Sequence, residues 1–234
     1  LGLGSISIGA PFFNQMFTLL IVPFVLFLGL GPLTRWKHQP ASQVQKTLLI
    51  AFGLSVSAGV LINFTYDAPT YMAALGLVLS AWILITTTLE VVQRVSAMDT
   101  SLSAFERLRK LTPSHWGMIL GHLGFAVTLI GITLVSNYEV ERDVRMMPGE
   151  SVTLSGYEFA FRKVEQRTGP NYTADVGIFD VYESGDKLVH LEPEKRLYLV
   201  QRMPMTEAGI YSTIFRDLFI AMGEPLDDGA WAIR

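Results

Sequence analysis

Half of the 234 residues are hydrophobic and only 17% are charged, which is too apolar for an ordinary soluble domain. The absence of cysteine excludes disulfides, thiolate metal sites and cysteine nucleophiles. Charge is divided unevenly: up to Val135 seven Lys or Arg stand against four acids, and from Ser136 onward eleven stand against seventeen. This describes a membrane half joined to a mildly acidic soluble half, with no basic stretch suited to nucleic acid.

The chain opens LGLGSISIG, with neither Met nor a basic leader, so no signal peptide is read there and the sequence is expected to begin inside a longer polypeptide. A loop-like GAPFFN (9–14) precedes a first apolar span at about Met16 to Gly31, with Pro23 as a tolerated kink. Arg35, Lys37 and Lys46 follow, with Trp36 suited to the headgroup level, which marks a cytoplasmic loop. The second span, Leu48 to about Phe64, carries Gly53, Ser55, Ser57, Ala58 and Gly59 and is expected to pack tightly in a bundle. The loop NFTYDAPT, with Asp67 and no Lys or Arg, lies on the outer side.

A third span, about Tyr71 to Val92, ends at Glu90, Gln93 and Arg94, where Glu90 reads as an interfacial residue. SAFERLRKL then predicts a short amphipathic stretch on which Phe105, Leu108 and Leu111 share a face, with Arg107, Arg109 and Lys110 turned to the headgroups. Thr112-Pro113-Ser114 starts the next helix.

The fourth span, Trp116 to Val135, WGMILGHLGFAVTLIGITLV, has no formal charge and is long enough to cross a bilayer core of about 30 Å. Its one ionisable residue is His122. An imidazole starved of water needs a partner, so His122 is either hydrogen-bonded to a neighbouring helix or a metal or haem ligand. Gly117, Gly121, Gly124, Thr128 and Gly131 make a smooth face beside it that admits a helix or a flat cofactor, and helix packing is the expected use.

From Tyr138 the pattern changes to short β-rich runs, at about Tyr138 to Met146, Tyr157 to Gln166, Ala174 to Glu183, Lys187 to Leu191, Arg196 to Gln201 and Ile210 to Phe215. Turns fall at Pro148-Gly149, Gly169-Pro170-Asn171 and Ser184-Gly185-Asp186. The expected architecture is four transmembrane helices (about 16–31, 48–64, 71–92 and 116–135) in a membrane domain 1–135, followed by an antiparallel β-sandwich or open barrel over 136–234. His38, His115 and His190 each stand alone, without a second ligand at metal-binding spacing, and read as solvated or hydrogen-bonding side chains. His115, at the helix mouth, is placed to meet a quinone headgroup or a haem propionate.

GAPFFN, GMILGHLGFAVTLIG, GPNYTADVG, LEPEKRLY, MTEAGIYSTIFRDLF and MGE, in this order, resemble the C-terminal part of cytochrome c maturation factor F (CcmF) over essentially the whole chain. The resemblance implies a multi-pass protein of the bacterial inner membrane, with its β-domain in the periplasm, that serves as a subunit of the cytochrome c haem lyase. It implies a b-type haem with His122 as one axial ligand, Gly121, Gly124 and Phe125 as packing neighbours, a second histidine upstream of Leu1 and quinol as electron source. Expected partners are a haem chaperone, other maturation subunits, apocytochrome c and membrane lipid. The family's tryptophan-rich segment is not among Trp36, Trp82, Trp116 and Trp231, so this stretch alone is expected to lack the transfer site. Glu192, Glu194, Lys195, Arg196, Thr206 and Glu207 are either a docking surface or local salt bridges. The alternatives are a transporter or permease fragment, and a membrane-anchored assembly scaffold without haem.

Overall fold

The computed structural model describes residues 9–34, 41–66, 68–200, 202–214 and 216–234, so Arg35, Trp36, Lys37, His38, Asp67, Gln201 and Phe215 lie outside the described residues. The chain divides into two compact units, one ending at Glu139 and the other running from Val140 to Arg234.

The first unit holds α1 (Ala10–Leu30), α2 (Ala41–Asn63), α3 (Tyr71–Ser96), the short α4 (Ala104–Arg109) and α5 (Pro113–Tyr138). Four of these, α1, α2, α3 and α5, are long and apolar enough to cross a membrane. The helices outrun the apolar spans because backbone hydrogen bonding continues into polar ends. GAPFFN is not a loop: α1 starts at Ala10, with Pro11 in the first turn where the missing N–H has no helical partner to lose. α2 likewise takes in Lys46 and begins at Ala41.

α3 is the central helix, packed by α1, α2 and α5 and the most deeply buried of the four. Glycines set three of its crossings. A Cβ at Gly59 would meet the Val78 backbone nitrogen at 2.5 Å, one at Gly76 would meet Thr133 Oγ1 at 2.1 Å, and one at Gly29 would meet the Trp82 ring at 2.2 Å. Gly53, by contrast, faces open space and Ser57 is exposed, so only part of the small-residue stretch of α2 packs inside. The buried hydroxyls of Ser55, Ser80 and Thr86 donate to carbonyls of their own helices, which satisfies them without a partner helix.

At one end of this unit Tyr138 stacks on Tyr66, with centroids 4.2 Å apart, and its hydroxyl reaches the buried Asn63 Oδ1 at 2.7 Å. Those contacts hold the last turn of α5 together, which is why Tyr138 is helical and the strand expected from Tyr138 shrinks to β1 (Val144–Met146).

The second unit contains ten further strands: β2 (Ser151–Leu154), β3 (Tyr157–Thr168), β4 (Tyr172–Glu183), β5 (Asp186–Leu191), β6 (Glu194–Tyr198), β7 (Pro204–Glu207), β8 (Gly209–Ser212), β9 (Asp217–Ile220), β10 (Met222–Pro225) and β11 (Trp231–Ile233). One antiparallel sheet runs β2-β3-β4-β6-β7 with β5 also on β4; β1-β11-β10 form a second and β8-β9 a third. The run expected over Ile210 to Phe215 is β8 alone, which turns back into β9. Met146, Phe161, Phe179, Leu218, Met222 and Trp231 bring all three sheets into one core, a sandwich. Phe161 and Phe179 stack across β3 and β4 at 4.5 Å.

β4 changes partner midway. Residues 179–183 pair with β5, residues 172–176 pair with β6, and between them Gly177 donates its N–H to the Pro193 carbonyl at 2.9 Å. A Cβ at Gly177 would lie 2.8 Å from Met222 Sδ and 2.9 Å from the Phe179 ring, so glycine lets the opposing sheet close on this corner.

Candidate functional site

Each site residue expected in the membrane half lies on α5. The helix begins where Thr112 accepts a hydrogen bond from the His115 amide and Pro113 supplies a preset φ. His122, two turns further on, is half-buried between α5 and α1. Its Nδ1 lies 2.8 Å from the Met118 carbonyl oxygen of its own helix, and its Nε2 lies 3.3 Å from the Leu28 carbonyl oxygen of α1.

A neutral imidazole has one proton to offer two carbonyls. The shorter contact makes the stronger bond, and a lone pair placed 2.8 Å from a carbonyl oxygen would be repelled, so the proton belongs on Nδ1. Nε2 then keeps its lone pair. In that tautomer one ring nitrogen is anchored on backbone and the other carries the lone pair. The Leu28 carbonyl beside it has no helical donor, because the residue four positions on is Pro32.

The glycine face of α5 does not serve helix packing among the described residues, and at about 100° per residue it lies around the far side of the helix from His122. A Cβ built at Gly117, Gly121, Gly124 or Gly131 meets nothing within 4 Å, and Thr128, also exposed, bonds only the Gly124 carbonyl of its own helix at 3.0 Å. The packing role expected of α5 glycines falls instead to Gly29, Gly59 and Gly76 on the other helices. Phe125 is partly buried and meets Phe24 of α1 edge-on at 5.8 Å. The Leu28 carbonyl occupies the Nε2 side of the ring, so a metal there would have to displace it.

His115 is not alone. Its Nε2 lies 3.0 Å from Glu90 Oε2, and Arg94 Nε lies 2.6 Å from the other carboxylate oxygen. Glu90 is buried within the helical unit, only 5% exposed. Nothing in the linear sequence pairs a residue near the end of α3 with one in the first turn of α5, since the antiparallel packing of the two helices creates the contact. Arg107 also departs from expectation: Nη1 donates to the Val95 carbonyl at 3.0 Å and so caps the end of α3, while Arg109 and Lys110 remain exposed. On α4 the shared apolar face is broken, with Leu111 just beyond the helix buried and Phe105 exposed beneath the Arg109 guanidinium.

In the β unit His190 sits between two carboxylates, with Nδ1 3.0 Å from Asp180 and Nε2 3.4 Å from Glu192. Lys187, His190 and Arg162, acting against the cost of burial, hold the Asp180 carboxyl far below the usual carboxylate range. The charged residues singled out there neutralise one another: Arg196 pairs with Glu194 and Glu207, Lys195 with Glu224, and Arg167 with Glu192. Among the described residues no group of three or more His, Asp or Glu is arranged to hold a metal ion.

Residues 137–234 match the family model described as CcmF C-terminal beta-sandwich. The chain is 43% identical over its whole length to a protein of Haemophilus influenzae named cytochrome c-type biogenesis protein CcmF, covering 36% of that protein. It is 44% identical to the protein of the same name in Escherichia coli (strain K12), again over all of this chain and 35% of that one. A solved structure titled Cytochrome c Heme Lyase CcmF superposes with a TM-score of 0.71 at 18% identity, over 96% of this chain and 36% of that one, a likeness of fold. Residues 137–234 thus match the CcmF C-terminal beta-sandwich, and the chain as a whole is similar to the C-terminal part of the proteins named CcmF, spanning about a third of the length of the curated relatives it matches.

Proposed function

We propose that this chain is the C-terminal, haem-holding part of a cytochrome c haem lyase: a membrane component of the machinery that receives haem, keeps it reduced and ligates it to apocytochrome c. The observation that carries this reading is His122 itself, a half-buried imidazole in an otherwise uncharged membrane-crossing helix, with Nδ1 2.8 Å from the Met118 carbonyl oxygen and Nε2 turned to α1. The names borne by relatives aligned over the whole chain point the same way.

In this reading His122 would hold a b-type haem, with Gly121, Gly124 and Phe125 proposed as its neighbours. A bound haem supplies one-electron chemistry at a potential set by its ligands and their burial. The residues of this chain anchor His122 Nδ1 on the Met118 carbonyl and hold α5 against α3 through Gly76 and Thr133. A membrane-soluble quinol is the proposed electron source. The basic residues after the first and third spans support a reading in which those loops face the cytoplasm and the β unit the periplasm of a bacterial inner membrane, with a haem chaperone, other maturation subunits and apocytochrome c as proposed partners.

Replacing His122 by Ala in the full-length protein is expected to abolish or strongly weaken its b-type absorption spectrum; unchanged haem content would remove His122 from this role. A second reading rests on the Nε2 contact with Leu28, in which His122 merely ties α5 to α1 in an assembly scaffold. Normal cytochrome c maturation by the His122→Ala protein would favour it.

A further inference from the structure

Residues 97–112 connect α3 to α5 and hold α4 between them. Both long helices are apolar enough to cross a membrane, so this connection lies at the level where two such helices leave the apolar layer. Charge is polarised about it. Among the described residues of the helical unit the Lys and Arg are Lys46, Arg94, Arg107, Arg109 and Lys110, and all five stand at this end: near the start of α2, in the last turn of α3, and on or just after α4. Residues 64–70, which join α2 to α3 at the opposite end, carry no Lys or Arg.

α4 divides its side chains between two sides. Leu108 is partly buried, Leu111 just beyond the helix is buried, and Arg107 donates to the Val95 carbonyl at 3.0 Å, which fastens this side to the end of α3. On the other side Phe105 is 66% exposed, with the Arg109 guanidinium carbon 5.8 Å from its ring centroid, and Arg109 and Lys110 are exposed. The acids of the connection are engaged by its own chain. Asp99 accepts from the Ser101 N–H at 2.9 Å, and Glu106 accepts from the Ser103 N–H at 2.9 Å and from its hydroxyl at 2.8 Å. What faces outward is an aromatic ring bearing a planar cation, with a second cation one residue on.

We propose that the exposed side of α4 is a binding site for an anionic phospholipid, with Phe105 against the acyl chains and Arg109 and Lys110 on the headgroup. The ring supplies the apolar contact of a helix lying at a membrane surface. The guanidinium matches two phosphate oxygens at once, and the ammonium adds a point charge beside it. A zwitterionic headgroup carries its own ammonium, so two fixed cations favour a lipid with net negative charge. The place of α4 between two helix ends, and the basic character of that whole end of the unit, favour lipid over a soluble partner. This site is independent of what His122 binds.

The test is native mass spectrometry of the full-length, detergent-purified protein at low ionic strength, with dioleoylphosphatidylglycerol or dioleoylphosphatidylcholine added at equal concentration. The fraction of protein that retains lipid is the readout, and the wild type is expected to retain phosphatidylglycerol in preference. Arg109→Gln should weaken that retention about fivefold, the worth of one basic residue at an anionic surface, and Arg109→Gln with Lys110→Gln on the order of twentyfold, both leaving phosphatidylcholine unchanged. Phe105→Ala should lower retention of both lipids. Equal retention of the two lipids by the wild type, or a preference that survives the double substitution, overturns the proposal, and unchanged retention in Phe105→Ala overturns the acyl-chain contact on which it stands. Should the double variant fail to assemble, Arg109→Gln alone decides.

Discussion

His122 Nε2 lies 3.3 Å from the Leu28 carbonyl, which Pro32 deprives of its helical donor. The two atoms are poorly matched, since the imidazole proton is better placed on Nδ1 and a lone pair therefore faces a carbonyl oxygen across the α1–α5 contact. The arrangement leaves Nε2 the less well partnered of the two ring nitrogens.

The open face of α5 makes a prediction that separates ligand binding from folding. Gly121→Leu adds a side chain that meets nothing within the described chain, so the helical unit should keep its stability. In the full-length protein the haem-to-protein ratio, read from the absorption spectrum, should fall several-fold at unchanged yield. An unchanged ratio would show that this face does not border the haem.

Gly59→Ala should act in the opposite way. The new methyl would lie 2.5 Å from the Val78 backbone nitrogen, and backbone cannot rotate aside, so α2 must move off α3. The expected cost is about 1–3 kcal/mol, visible as a lowered thermal unfolding midpoint in detergent. Gly53→Ala on the same helix, where a Cβ meets nothing, serves as the control and should not destabilise.

Tyr138→Phe keeps the ring stacked on Tyr66 but removes the hydroxyl bonded to Asn63. Asn63 is only 5% exposed, so its Oδ1 loses a partner that water cannot readily replace. A loss of about 1–3 kcal/mol is expected, with faster amide exchange in the last turn of α5.

Acid should weaken the β unit through Asp180. Lys187, His190 and Arg162 depress its carboxyl in the folded state, so its contribution is fully present above the ordinary aspartate value of about 4 and is lost as pH falls from there towards the depressed folded value. Asp180→Asn should flatten the dependence of the unfolding midpoint on pH below about 4. A variant as acid-sensitive as the wild type would assign the effect to other carboxylates.

Much of the membrane half was legible because a bilayer demands long uncharged helices, and Leu-, Phe- and Gly-rich runs announce them. Helix ends were less so: Lys46 and Ser96 are helical yet polar, and apolarity reports only the part that meets lipid. In the sheet, Ser184-Gly185 was recognised as a turn and has positive φ at both residues, as the tight hairpin between β4 and β5 requires. Ser155-Gly156 has the same signature and the same geometry but was passed over, and β2 went with it. β9, β10 and β11 are three or four residues long, too short for alternation to show. His122 was found because a lone ionisable group in an apolar run is conspicuous. The Glu90–His115 pair was missed because each residue is unremarkable until the helices are placed side by side.

The handover of β4 from β5 to β6 at Gly177 governs how the whole sheet is threaded. Four neighbours, β3, β5, β6 and, through β3, β2, take their alignment from a single strand. A slip of one residue along it would send Phe179 outward, off the ring of Phe161, and turn Asp180 into the interior, so the correct alignment is guarded by the side chains on both faces of β4 at once.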